Sequence, residues 1–465
     1  MDPFVVVGGD AAGLSAASKC RREDPDREVL VFEKGAWVSY AHCGMPYYVK
    51  GEVPDIEDLL SLRPADIEER GIELHRHHEV TGVDTDRQTV TVAGPDGTFE
   101  QAYGDLLVAT GARALDGPFD LDRAGAFTLH GLDAAAALRA FVEADPDPGL
   151  GGEYADRDLV ERYAGADPPE SAAVVGGGYV GVETAEALAG RGIDVHLFQR
   201  GPRLLPPFGA AVGDRVADHL ADEGVAVHTD TPVEALRGDP VEAVVAAGET
   251  YAVDLAVVGV GIRPNVDFLG GALDLGASGA IAVDEYGRAS APDVYAAGDC
   301  AEAPHAVTGE FEWVPLGLTA NRAGRAVGRT VAGDPEPVGD IAGTAVVKAF
   351  DLGAGRTGIL DERAREAGFS PESVTITAGS RSGYYPGAAE TTVTLVADRD
   401  SGRVLGAATV GEDRAAKRID TVATALDAGM TVADLERLDL GYAPPFSPVW
   451  DPVLVAAKVL NGQLD

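Results

Sequence analysis

Phe4-Val5-Val6-Val7-Gly8-Gly9-Asp10-Ala11-Ala12-Gly13 is an apolar run that breaks into a glycine-rich turn. A small-residue helical stretch follows, through Arg22, and a second apolar run, Val29 to Phe32, ends at Glu33. The same order returns later in the chain. Ala172 to Val175 leads into Gly176-Gly177-Gly178-Tyr179-Val180-Gly181, then a helical stretch to about Arg191, then Val195 to Phe198 ending at Gln199. Strand, turn, helix, strand predicts a parallel sheet with right-handed crossovers. The turn glycines let backbone N–H groups approach a pyrophosphate, and the helix N-terminus adds positive potential. One such motif is weak, but two in full strand-turn-helix context predict two dinucleotide-binding units rather than two plain helix caps. Glu33 ends its strand where an acid accepts ribose hydroxyls. The first turn departs from the pattern, because Asp10 holds the position of its second glycine.

Outward from these units, two further segments fit the same kind of site. Leu106 to Ala109 is a strand-sized apolar run ending in the small turn Thr110-Gly111, and Val294 to Ala297 ends at Gly298-Asp299. An acid at a strand's carboxyl end can accept hydrogen bonds from sugar-alcohol hydroxyls. The Pro/Gly/Asp-rich stretch from Asp145 to Pro169 reads as a surface insertion or linker. Past residue 340, alternating segments such as Thr391 to Val396, with the turn Asp398 to Gly402, predict antiparallel strands, and Ile419 to Ala428 and Val432 to Leu438 predict helices.

Acidic residues outnumber basic ones by 76 to 37 in 465 residues, for a formal charge of −39, and only six of the basic residues are lysine. The acids are spread along the whole chain. That surface resembles those of proteins from salt-loving organisms, in which a Debye length of about 3 Å at ~1 M salt screens the self-repulsion. No basic patch points to nucleic acid, and no apolar run approaches a membrane span. Without a basic signal stretch at the N-terminus, a cytoplasmic location is expected. Three cysteines, Cys20, Cys43 and Cys300, argue against a disulfide framework, and none has C-x-x-C spacing, so no metal site is expected.

With both glycine-rich turns and the segments ending at Gly111 and Asp299, the chain resembles the FAD-dependent pyridine nucleotide-disulfide oxidoreductases over nearly its whole length. The resemblance implies an α/β protein: two Rossmann-like domains, for FAD and NAD(P)H, and a C-terminal α+β domain that makes a homodimer. The expected division is 1–116 and 253–337 for FAD, 117–252 for NAD(P)H, and 338–465 for dimerisation. FAD would lie against Gly8, Gly9, Ala12, Gly13, Glu33, Lys34, Thr110, Gly111 and Asp299. The nicotinamide nucleotide would lie against Gly176, Gly178, Tyr179, Gly181, Glu183, Gln199, Arg200 and Gly261. Gln199 replaces the usual acid and is followed by Arg200 and Arg203, so NADPH is expected to serve at least as well as NADH.

The segment Ser39-Tyr40-Ala41-His42-Cys43-Gly44-Met45-Pro46-Tyr47-Tyr48 carries one cysteine where glutathione-reductase-like members carry a C-x-x-x-x-C pair. Tyr48 stands at the second position, so no internal disulfide cycle is available there. The segment looks like that of coenzyme A-disulfide reductases and their persulfide- and polysulfide-reducing relatives. Resemblance implies Cys43 as the redox thiol, with Tyr442 and Tyr385 (or Tyr384) reaching it from the partner subunit, and Arg22, Ser39 and His42 at the substrate. The basic cluster Lys19, Arg21 and Arg22 fits a phosphate-bearing substrate. A flavin and a helix N-terminus should lower the Cys43 pKa. Cys20 and Cys300 read as packing residues. The preferred substrate is coenzyme A disulfide or a related small disulfide or persulfide. The alternatives are an NADH oxidase cycling Cys43 through a sulfenic acid, disfavoured by Ala11 where such enzymes often carry a histidine, and an electron-transfer or redox-sensing subunit.

Overall fold

Two parallel sheets carry the two glycine-rich turns. The structure, a computed structural model, describes residues 2–144, 146–147 and 149–464. In the first sheet, Phe4–Val7 lies between Val29–Glu33 and Asp105–Val108, with Glu73–Arg76 and Val294–Ala296 at the edges, all parallel. In the second, Ser171–Val175 lies between Asp194–Phe198 and Leu255–Val258, with Ala226–His228 and Ala126–Phe127 outside them. Both central strands are buried on both faces, which is why each reads as an unbroken apolar run rather than an alternating one. Each central strand's carboxyl end sits beside the turn that follows it, so both turns open at the sheet's topological switch point.

The expected cut between residues 252 and 253 would sever a strand from its sheet. Leu255–Val258 pairs with Ser171–Val175, so it belongs with the second unit. The stretch from 145 to 169 also differs from expectation, although Asp145 and Pro148 lie outside the described residues. Arg157–Ala164 is a helix capped by the Asp156 side chain, and it buries Val160 and Tyr163. The Tyr163 ring packs against Phe127 and Phe141, and its hydroxyl accepts the Gly125 N–H at 3.2 Å. Three aromatic anchors outweigh the turn-forming composition around them.

The first helix, Ala11–Glu23, packs along Gly317–Val331. A Cβ on Gly324 or Gly328 would sit 2.1 or 2.2 Å from the Ala12 or Ala16 carbonyl oxygen. The small residues of both helices thus set the backbone separation. The C-terminal region folds as a five-stranded antiparallel sheet, in the order Ala345–Ala349, Leu352–Gly358, Val404–Gly411, Glu390–Asp398, Pro371–Gly379, backed by the helices Ala415–Asp427 and Pro452–Leu464. Its surface exposes Tyr384, Tyr442, Phe446, Val449 and Trp450, a concentration of large apolar side chains that marks an interaction face. Among the described residues, no helix is long and apolar enough to cross a membrane.

Candidate active site

The two turns are built alike. Gly8 and Gly176 both have φ of 112°, which strains any residue with a Cβ. A Cβ there would also lie 2.2 Å from the Ala109 oxygen or 2.3 Å from the Gly259 oxygen. Gly13 and Gly181 close the turns, each with its own first glycine's oxygen less than 2 Å from where a Cβ would be. The residue ending the second strand then fastens the turn. Glu33 accepts from Gly9 N–H at 2.9 Å and from Gly35 N–H at 2.7 Å, while Gln199 accepts from Gly177 N–H through Oε1 at 3.1 Å. These cradles leave no room for side chains against the backbone, as a pyrophosphate site requires.

One cavity of ≈ 3100 Å³ joins both turns to Cys43. Sites for a drug-sized ligand run to roughly 1,000 Å³, so this space suits more than one extended ligand. Its wall includes Gly8, Gly9, Ala12, Glu33, Lys34, Thr110, Gly111 and Asp299 of the first expected set. It also includes Gly178, Tyr179, Glu183 and Gly261 of the second, and Arg22, Ser39 and His42. Gly13, Gly176 and Gly181 stand behind the wall as packing elements. Gln199 and Arg200 do not line it. Arg203 does, and its buried Nε has no hydrogen-bond partner.

Cys43 sits in a single helical turn, His42–Gly44, and is open to the cavity. The expected depression of its pKa is absent in the protein alone. Enclosure by the cavity walls pushes the thiol up, and the charges of Glu183 and Asp299 push it further. Burial also lifts the Asp299 carboxyl to about 6, against a lowering by His42. Burial lifts Glu183 to about 7, although it accepts from the Tyr47 hydroxyl at 3.2 Å. Tyr47 lies four residues past Cys43, one helical turn on. That i+4 spacing is the one sequence signal that links Tyr47 to the thiol. Tyr48, by contrast, points away: it is fully buried, and its hydroxyl donates to the Leu150 carbonyl at 2.6 Å.

A buried carboxylate anchors the helix Met45–Lys50 that follows Cys43. Glu186, 1% exposed, pairs with Lys50 at 2.7 Å and with Lys348 from the C-terminal sheet. Two of the chain's six lysines therefore serve one internal acid, locking together three parts of the chain. Cys20 and Cys300 are fully buried. Burial pushes the Cys20 thiol to about 11, and the Cys300 thiol donates to the Val108 carbonyl at 3.3 Å.

The expected basic cluster breaks up. Lys19 is buried against Glu23, and Arg21 donates to backbone carbonyls of Pro25 and Arg27. Arg22 alone faces the cavity, where it is joined by Arg70, Arg322 and Arg325. None of these four forms an ion pair among the described residues. They come from three distant segments, so no local sequence signal could have grouped them. Tyr384, Tyr385 and Tyr442 do not line this cavity. They lie exposed on the C-terminal face, with the Arg381 guanidinium 5.9 Å from the Tyr385 ring centre.

Two dinucleotide cradles and a thiol sharing one cavity define a two-dinucleotide redox enzyme. Residues 2–318 match the pyridine nucleotide-disulphide oxidoreductase profile, and residues 344–452 match that family's dimerisation domain. The chain belongs to the pyridine nucleotide-disulphide oxidoreductase family, whose members use FAD and NAD(P)H. It is 36% identical to the NAD(P)H coenzyme A polysulfide/persulfide reductase of Pyrococcus horikoshii, over 98% of both chains. It is 31% identical to an NADH oxidase of Methanocaldococcus jannaschii, over 98% of this chain and 97% of the other. It is 29% identical to the coenzyme A disulfide reductase of Staphylococcus aureus, over 96% and 97%. The solved structure of an NAD-dependent persulfide reductase from A. fulgidus superposes with a TM-score of 0.90 at 35% identity, covering 99% of this chain and 83% of that one.

Proposed function

We propose that this enzyme uses NAD(P)H to reduce a small disulfide or persulfide of coenzyme A at Cys43. The carrying observation is the shared cavity: Cys43 opens into the same space as Arg22, Arg70, Arg322 and Arg325. Four arginines without carboxylate partners are out of place in a chain of charge −39 unless their counter-ion is a ligand. Guanidinium groups suit the phosphates of a nucleotide-bearing thiol.

The two cradles fit the two dinucleotides. The first turn with Glu33, Lys34, Thr110, Gly111 and Asp299 would hold FAD, and the second with Tyr179, Glu183 and Gly261 would hold NAD(P)H. FAD bound there would accept hydride from the reduced nicotinamide and supply two electrons to sulfur. The chain's own residues do the rest. The Cys43 thiolate attacks one sulfur of the substrate, forming a mixed disulfide and expelling a thiolate, or hydrosulfide from a persulfide. Two electrons then cleave the mixed disulfide and restore the Cys43 thiolate. A protonated Glu183 favours that thiolate, because its charge is then absent. Each expelled thiolate needs a proton, and Tyr442 and Tyr385 of a second copy supply it across the dimer. Their exposure on the C-terminal face, outside this chain's own cavity, supports a role between subunits.

Steady-state turnover of the purified protein against coenzyme A disulfide, polysulfide and oxygen tests the reading. NAD(P)H oxidation should depend on the sulfur substrate. Oxygen consumption at a comparable rate without one would favour the oxidase reading that the Methanocaldococcus relative carries in its name.

A further inference from the structure

Asp10 is the one residue of the first turn that breaks the glycine pattern, and the second unit has Gly178 in its place. It does not fill the cradle. Its backbone is extended, with φ of −122° and ψ of −153°, and its side chain turns toward the redox segment. Oδ1 accepts the Tyr40 N–H at 3.1 Å, and Oδ2 is ion-paired with His42 Nε2. Ser39 N–H donates to the Gly9 carbonyl at 3.0 Å. The segment leading to Cys43 is thus fastened to the turn at three points. The His42 ring also stacks on Tyr40 with centroids 4.1 Å apart. The same cavity wall carries further acids, among them Glu33, Glu183 and Asp299.

We infer that Asp10 and His42 form a charge-compensated clasp, which cancels the Asp10 carboxylate beside the FAD pyrophosphate and docks the Cys43 segment onto the flavin turn. The inference rests on the proposed assignment of the first turn to FAD. A lone carboxylate at that turn would repel the pyrophosphate. Paired with an imidazolium it presents no net charge, while its second oxygen still holds Tyr40. His42 is therefore a positioning residue for the flavin turn as well as a neighbour of the substrate mouth. The pair is more than a packing contact, because its two halves have opposite effects on a bound anion.

A double-mutant cycle on FAD binding tests this, using the affinity read from the fluorescence of released flavin for Asp10→Gly, His42→Asn and the double variant. His42→Asn leaves Asp10 uncompensated and should weaken FAD about tenfold or more, the scale of removing one partner of a half-buried ion pair. Asp10→Gly should bind FAD at least as well as wild type. The double variant should recover to within about threefold of wild type, since repulsion and compensation leave together. Raising KCl from about 0.2 to about 3 M should shrink the His42→Asn defect through screening. A double variant as weak as His42→Asn alone, or a His42→Asn protein with wild-type affinity, overturns the clasp. Glu33→Gln separates the two levels. If it too keeps wild-type affinity, the assignment of the turn has failed. If it loses FAD while the cycle is additive, only the clasp has failed.

Discussion

Coenzyme choice should be movable by one atom. In the second unit Gln199 Oε1 is held by Gly177 N–H at 3.1 Å, which leaves the side-chain NH2 as the group free to meet a ligand. A free donor suits a 2′-phosphate better than a ribose 2′-hydroxyl, which an acid would accept from. Arg203, on the cavity wall with an unpartnered buried Nε, can add a charged hydrogen bond, and Arg200 is exposed nearby. Gln199→Glu should keep the turn intact, because Glu33 holds Gly9 in the equivalent way at 2.9 Å. The change replaces a donor by an anion, so a charged hydrogen bond of about 1.5–3 kcal/mol is exchanged for repulsion. At 1.4 kcal/mol per tenfold, the ratio of kcat/KM for NADPH over NADH should fall by roughly ten- to a hundredfold. Most of the loss should fall on NADPH. Arg203→Ala should lower NADPH use alone. The assay is initial-rate kinetics with both coenzymes at fixed, saturating sulfur substrate. A wild-type enzyme that strongly prefers NADH, with a preference unchanged in Arg203→Ala and Gln199→Glu, would refute the reasoning.

Other outcomes follow from the same geometry. Cys43→Ser should accept electrons from the nicotinamide into its flavin in a rapid-mixing experiment but show no disulfide turnover, while Cys20→Ser should match wild type. Equal losses would remove Cys43 from its role. Asp299→Asn should lose most of its flavin, and in FAD-free protein it should have the opposite effect on stability. The Asp299 carboxyl is lifted from 3.8 to about 6, so its stabilising protonated form is fully present below 3.8 and lost as pH rises through 6. Thermal melts of apo Asp299→Asn should therefore gain up to about 3 kcal/mol at pH 8 and nothing at pH 3.5. Tyr442→Phe should slow turnover with the dimer intact in light scattering. A variant that only dissociates would mark Tyr442 as a packing residue. Glu183→Gln should let Cys43 alkylate at lower pH, because a charge that raises the thiol pKa is gone.

The fold was readable because its deciding elements are local. A strand buried on both faces, a turn that admits only glycine at Gly8 and Gly176, and a helix of small residues each leave their mark within about fifteen positions of sequence. What was hidden depends on side chains that meet only after folding. Asp10 read as an intruder in the flavin turn, and nothing in the order of residues said that His42 would come to cancel it. Lys19, Arg21 and Arg22 read as one basic cluster, yet a helix points consecutive residues in different directions, and two of the three are spent on Glu23 and on backbone carbonyls. Only Arg22 of that cluster reaches the Cys43 cavity, and the unpaired arginines that join it there include Arg70, at a helix end, and Arg322 and Arg325, some 250 residues further on. The Cys43 pKa failed for a similar reason. A helix N-terminus is visible in sequence, but the enclosing walls and the carboxylates of Glu183 and Asp299, which outweigh it, are properties of the assembled cavity. Those two acids are themselves held near neutrality by burial, at about 7 and about 6. The charge around the thiol is therefore adjustable near physiological pH. Any bound ligand that expels water or brings a cation there should alter how readily Cys43 ionises.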